Sequence, residues 1–159
     1  MNPEMFVSGA GPTFLRGPLK IGFRRPGRPI DYTMADRGMP VASERAAAVF
    51  REIAGDDVEL IPLDVESRLE SYFIVNAIHA VDCVDERHSE GVRRWGPEDG
   101  QPEKVGDYKS FDRLRVDPSK TAGHDIFRVK RCVVYLIVSR RLKEALEGAH
   151  LTGLRFIPV

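Results

Sequence analysis

The densest run of side chains able to do chemistry in this sequence is Asp82, Asp85, Glu86, His88, Ser89 and Glu90, directly after a long apolar stretch. Carboxylates and an imidazole leaving a buried strand are the donor types that a divalent cation takes. Asp82, Asp85 and His88 could supply such a site, which would make the chain a small metal-dependent hydrolase. Their spacing is no specific metal motif, and no second cluster completes a coordination sphere. The plainer reading is a polar strand exit. His79 and Cys83 are four residues apart. On an extended strand they share a face but lie about 13 Å apart, so they form no dyad. A catalytic Cys–His pair would need His88, His124 or His150 brought in by the fold. No Walker loop, GxGxxG, CxxC or HExxH occurs, and GAGP at 9–12 lacks the following helix and lysine that phosphate binding needs. The residues favour a binding protein over an enzyme, with no metal or other cofactor.

Charge narrows the partner. The chain has 159 residues, with 24 Lys+Arg against 24 Asp+Glu. One domain with a real core fits that length. Zero net charge excludes a protein that coats nucleic acid by bulk charge, and also a uniformly acidic mimic of DNA. The charge is unevenly spread: residues 1–30 carry a net of +4, residues 31–90 a net of −9 and residues 91–159 a net of +5. Residues 1–30 form a Gly/Pro/Arg-rich arm ahead of a single domain at 31–159. Arg24, Arg25 and Arg28 raise a nucleic-acid-binding module, but aromatic interleaving is sparse, so a solvated arm is favoured and direct nucleic-acid binding is not expected. Cys83 and Cys132 sit in apolar runs and read as core thiols of a reducing compartment. No apolar run approaches the roughly 20 residues of a membrane helix. The N-terminal residues lack a signal-peptide pattern. The expected location is the cytoplasm, without membrane contact; self-association is left open.

The elements that must position these residues follow from periodicity. Leu19–Phe23 predicts a short strand. Ser43 caps a helix that buries Ala46, Val49, Phe50 and Ile53 and stops at Gly55, a residue that tolerates the left-handed conformation. VELIPLDV predicts an edge or bulged strand, because Pro62 cannot donate to a ladder. Residues 71–84 are apolar on both faces and predict one buried central strand. Residues 85–104 predict an extended loop. Tyr108–Val116 alternates, with Phe111 on one face and Leu114 and Val116 on the other. Ile126–Val138 predicts another apolar strand with a charged break at Lys130–Arg131. Ser139 caps a second helix that buries Leu142, Ala145 and Leu146 and stops near Gly148. LTGLRFIPV predicts a final strand. Two segments echo each other at an offset of 96: Ser43 with Ser139, Arg45 with Arg141, Ile61 with Ile157 and Pro62 with Pro158. The expected fold is α+β, a mixed or mainly antiparallel sheet with two principal helices, and the echo raises an internal β-α-β repeat.

A set of ordered motifs resembles a known family. DYTM at Asp31, PVASER at Pro40–Arg45, VELIPLDV, SYFIVNAIHAVDCVDERHSEG, IFR at Ile126–Arg128, VSRRLKEAL and LTGLRFIPV look like the immunity proteins of bacterial polymorphic toxin systems, long catalogued as a domain of unknown function. The resemblance runs from Asp31 to Val159. It implies a non-enzymatic role: binding the effector domain of a cognate toxin and blocking it in the producing cell and its kin. Ser43–Arg45 and Ser139–Arg141 match the family's helix starts, and Asn76, Asp82, Asp85 and Ser89 fall on its polar positions. A nuclease toxin presents a basic groove, which an acidic surface would find quickly. Asp82, Asp85, Glu86, Ser89 and Glu90 are the candidate contacts. Trp95 is the candidate anchor, since tight inhibition needs a buried aromatic or apolar group; the plainer role for Trp95 is pinning its loop to the core.

Overall fold

The computed structural model describes residues 19–22, 27–35, 38–66 and 68–159. A five-stranded sheet runs in the order β1 (Leu19–Ile21), β4 (Val58–Val65), β5 (Tyr72–Ala77), β3 (Met39–Ser43) and β2 (Tyr32–Ala35). β1 lies parallel to β4, and every other neighbour is antiparallel. A three-stranded sheet follows the order β10 (Cys132–Val138), β9 (Ile126–Val129) and β6 (Ala80–Val81), with β6 parallel to β9. A small ribbon pairs β7 (Arg93–Arg94) with β8 (Tyr108–Ser110). With helices α1 (Glu44–Ala54) and α2 (Arg140–Gly148), the fold is the expected α+β architecture.

Three expected strands take other forms. The run at 71–84 is two strands, because the chain leaves the first sheet at Ile78–His79. There the Ile78 amide donates to Asp57 O and the His79 carbonyl accepts from Arg128 N, so one group of each residue stays paired while the chain changes sheets. Ile126–Val138 is a hairpin rather than one strand. Arg131 adopts a left-handed φ of 63° at its turn, and the charged break at Lys130–Arg131 is the reversal. LTGLRFIPV forms no strand. Leu151, Leu154 and Phe156 instead lie on the main core, and the Tyr32 amide donates to Thr152 O. Gly153 is needed at that crossing: its φ is 89°, and a Cβ would stand 2.0 Å from Tyr32 O.

Smaller expectations also shift. Gly55 ends α1 in the right-handed region, at φ −54°; glycine suits it because a Cβ would meet Arg51 O at 2.7 Å. Pro62 lies inside the sheet opposite Phe73, not in an edge strand. Among the described residues β1 pairs only with Leu63–Val65, so no described partner loses a ladder bond at Pro62. Phe111 and Leu114 enter the same core, since pairing lapses after Ser110 and resumes at Arg113.

Two cores lie on opposite faces of the second sheet. The main core gathers Ala42, Val75 and Ala77 from the first sheet, Ile126 from β9, and Phe50, Leu142 and Leu146 from the helices. Alternation along β9 sends Phe127 and Val129 to the other face, where they meet Cys83, Val84, Tyr108, Phe111, Leu114 and Cys132. Both cysteines are free and buried, and burial pushes both thiols up. A third core on the far face of the first sheet holds Val41, Ile61, Leu63 and Ile74. Arg128 shares the Ile126 face of β9 and is 1% exposed. Its Nη1 donates to Val133 O at 3.1 Å, and burial lowers its pKa.

The echo is real at the helix starts and absent after α2. Each unit is a hairpin followed by a helix: β2–β3–α1 and β9–β10–α2. Ser43 Oγ accepts from Ala46 N and donates to Asp31; Ser139 Oγ accepts from Leu142 N and donates to Asp125. The Ser43 amide donates to Asp31 O and the Ser139 amide to Asp125 O, both at 2.8 Å. Arg45 pairs with Asp31 and Arg141 with Asp125. Each arginine also reaches the end of the other helix, Arg45 to Ala149 O and Arg141 to Ile53 O. The helices therefore pack antiparallel, and each terminal carbonyl group receives a cation, as the helix dipole favours.

Candidate partner-binding site

The chain leaving β6 at Asp82 builds a polar layer over the second core. Cys83 and Val84 point inward, and Val84 bridges to Val116. Asp85 then turns the chain. Its Oδ1 accepts from the amides of Arg87 and His88, and its Oδ2 lies 2.6 Å from His88 Nδ1. The His88 hydrogen bond, more than the two amides, holds the Asp85 carboxyl below its usual range. Ser89 Oγ accepts from the Arg115 amide at 2.9 Å, and Glu90 bridges to Arg113 through both backbone and side chain. Asp85 and Ser89 therefore shape the loop, while Glu86 and Glu90 face solvent.

The acids of the layer are matched by the basic segment that follows them. Asp82 pairs with Arg131, Glu86 with Arg94, Glu90 with Arg113, Asp99 with Lys109, and Asp112 with Arg93. Glu86 also accepts from the Tyr108 hydroxyl, which lowers its pKa, while burial raises that of Tyr108. Arg94 and Arg131 lie over the Tyr108 ring, with guanidinium carbons 4.2 and 5.3 Å from its centroid. Trp95 is half-buried. Lys104 and Lys109 lie 5.2 and 4.9 Å from its centroid, and its backbone pairs with Gly106 and Asp107. The ring is not among the side chains packed on the second core; its contacts are the two lysines. The layer is thus a mixed, self-paired surface and not a bare acidic face. Of the other acids in the middle third, Glu52, Asp56, Glu59, Glu66 and Glu70 have no cation partner among the described residues; Glu59 accepts from Asn76 instead. They lie toward opposite ends of β4, about 25 Å apart, and so make no single patch.

The alternative metal cluster of Asp82, Asp85 and His88 is not assembled. Asp82 is held by Arg131, and Asp85 and His88 hold each other. Among the described residues, a different group converges: Asp57, His79 and His124, with ligand atoms within 4.8 Å of one another. Periodicity could not show this, because the three residues lie on separate junctions of the chain. Asn76, a polar position of the central strand, is buried and donates to Glu59 at 3.2 Å across the β4–β5 pair. Its role is inside the sheet. Arg24 and Arg25 lie outside the described residues, while Arg28 is exposed. Among the described residues, no helix is long and apolar enough to cross a membrane.

Comparison with known proteins supplies what geometry does not. Residues 4–159 match a family described as "Immunity protein family (Imm11)". The match extends beyond the motifs read from Asp31 onward into the first thirty residues. No curated protein matches the chain.

Proposed function

The chain belongs to the Imm11 immunity protein family, and from that premise we propose that it binds and neutralises a cognate toxin in the cytoplasm of the bacterium that makes both. The observation that carries this reading is the match across nearly the whole chain. The mode is direct inhibition without catalysis, within a polymorphic toxin system that separates kin from competitors. We take the toxin to be a nuclease. What supports this is local: Glu86 and Glu90 are exposed and held by arginines, so a basic substrate groove can take the place of Arg94 and Arg113.

The contact surface we propose is the solvent side of the strand-exit layer. Asp82, Asp85 and Ser89 hold the layer in shape, and Glu86, Glu90 and Trp95 with its flanking lysines meet the partner. Arginines and aromatics already held in one conformation lose little freedom on binding, which favours them as anchors. The test is co-expression with the effector domain encoded beside this gene, followed by calorimetric titration. Growth should be rescued. Glu86→Lys with Glu90→Lys should weaken binding by more than about tenfold. Glu66→Lys with Glu70→Lys, at the β4–β5 turn, should change it less. Equal or reversed losses in folded variants remove the strand-exit layer as the contact surface; failure of the wild type to rescue any adjacent effector removes the toxin assignment.

A further inference from the structure

Outside the layer, one group of side chains has the composition of a metal site. His124 Nδ1 stands 2.7 Å from Asp57 Oδ1, and His79 Nε2 stands 3.4 Å from the same oxygen. The two imidazoles stack, with centroids 4.0 Å apart and planes 21° apart. Two imidazole nitrogens and a carboxylate oxygen are the donor set of a three-ligand zinc centre with one open position. Bonds of about 2.0–2.1 Å in a tetrahedron place neighbouring donor atoms about 3.3 Å apart, and the two observed separations bracket that value.

The backbone holds the three donors in place. Asp57 follows α1, His79 sits at the bend between the sheets and His124 precedes β9. The Ile78 amide donates to Asp57 O, the His79 carbonyl accepts from the Arg128 amide, and the His124 amide donates to Thr121 O. Asp57 Oδ2 accepts from the Asp125 amide at 2.6 Å, which leaves Oδ1 turned to the imidazoles. Such orientation of a ligand by a further hydrogen bond is how metal sites are tuned. Asp125, whose amide braces Asp57, is itself paired with Arg141, so that guanidinium is occupied beside the three donors. The side chains are 13% (Asp57), 24% (His124) and 36% (His79) exposed, so solvent can reach the opening.

We propose that Asp57, His79 and His124 form a site for a zinc-class divalent cation, with water in the fourth position. The ion takes the place of the contact between His124 Nδ1 and Asp57 Oδ1. It ties the end of α1, the bend between the sheets and the start of the second hairpin, so its effect is on the seam of the fold. This inference stands apart from the toxin assignment and does not depend on it.

The test uses the full chain, stripped with chelator and titrated with ZnCl2 by calorimetry and with CoCl2 by visible absorption. One ion per chain should bind, Co²⁺ should give the absorption bands of a low-coordinate nitrogen–oxygen site, and the thermal midpoint should rise with zinc concentration. His79→Ala and His124→Gln should each weaken binding by more than roughly 100-fold, the upper range for losing an outer-shell partner. Asp82→Asn with His88→Gln should leave it unchanged. His79→Ala removes the more exposed imidazole, and its far-ultraviolet spectrum reports whether it is folded. Three results overturn the proposal: no zinc binding by the wild type at 100-fold molar excess, undiminished binding in folded His79→Ala, or loss of binding in the Asp82/His88 variant instead.

Discussion

The two hairpin–helix units use the same helix-start chemistry and differ in what closes them. In the first, Asp31 is met by Thr152. The Thr152 amide and hydroxyl donate to Asp31 Oδ2, and the Asp31 amide donates to the Thr152 hydroxyl. In the second, the Asp125 amide donates to a carboxylate, Asp57, whose other oxygen is committed to two imidazoles. Each closing residue follows the helix of the opposite unit. A hydroxyl, donor and acceptor at once, completes its neighbour and stops there. A carboxylate only accepts, and so leaves an oxygen free for a second task. The units diverge again beyond the helices: after α1 the chain enters the sheet as β4, and after α2 it stays irregular and lends Leu154 and Phe156 to the shared core.

If the units share one core, they must unfold together. Phe50→Ala in α1 should cost about 3–5 kcal/mol and Leu146→Ala at the matching position of α2 about 2–5 kcal/mol, each within a single transition in urea. Two separable transitions would break the comparison into two domains.

The buried carboxylates come next. Asp31→Ala and Asp125→Ala should each cost about 3 kcal/mol, because Ser, Arg and amide partners are left unpaired. Asp31→Ala should be the worse, since Thr152 also donates to it twice. Burial pushes the Asp31 carboxyl up, but Thr152, Ser43 and Arg45 together outweigh burial and hold it below its ordinary 3.8. The Arg141 hydrogen bond depresses Asp125 against a smaller effect of burial, and the Ser139 hydrogen bond adds to it. Both pKa values are lower folded than unfolded. Their stabilisation is therefore complete above the unfolded value near 3.8 and lost as pH falls below it. Asp31→Asn and Asp125→Asn should each flatten the acid limb of a pH–stability curve below about pH 4; an unchanged limb would put the acid sensitivity elsewhere.

The caps should be nearly equivalent: Ser43→Ala and Ser139→Ala should each cost about 1 kcal/mol in the same melts. A large difference would show that closure by Thr152 or Asp57, and not the cap, sets the strength of each start. Arg45→Met and Arg141→Met should shift the midpoint least, because both guanidinium groups are largely exposed and exposed pairs contribute little.

What could be read from residues alone was local. Ser43 and Ser139 announce their helices because a cap needs only its own next turn. Leu142 and Leu146 announce a buried face because four residues nearly complete one turn. Cys83 and Cys132 were legible as core thiols from the apolar runs around them. The bend at Ile78–His79 was hidden, since apolar residues continue through it while the hydrogen-bond partners change sheets. Trp95 was singled out by its type, but Lys104 and Lys109, which lie over its ring, come from beyond a further turn.

The sequence by itself determined the α+β class, both helix starts, the short first strand and, through its ordered motifs, the family. These depend on periodicity, capping and order along the chain. Only the tertiary structure decided where the charges went and which residues met. The −9 of the middle third does not survive as one acidic face, because arginines from the following segment fold against Asp82, Glu86 and Glu90. Asp57, His79 and His124 carry no sequence signal at all, since their convergence rests on backbone pairing across distant segments. Coulomb attraction and metal-ligand geometry act over a few ångströms, and nearness in space is set by the fold and not by position in the chain.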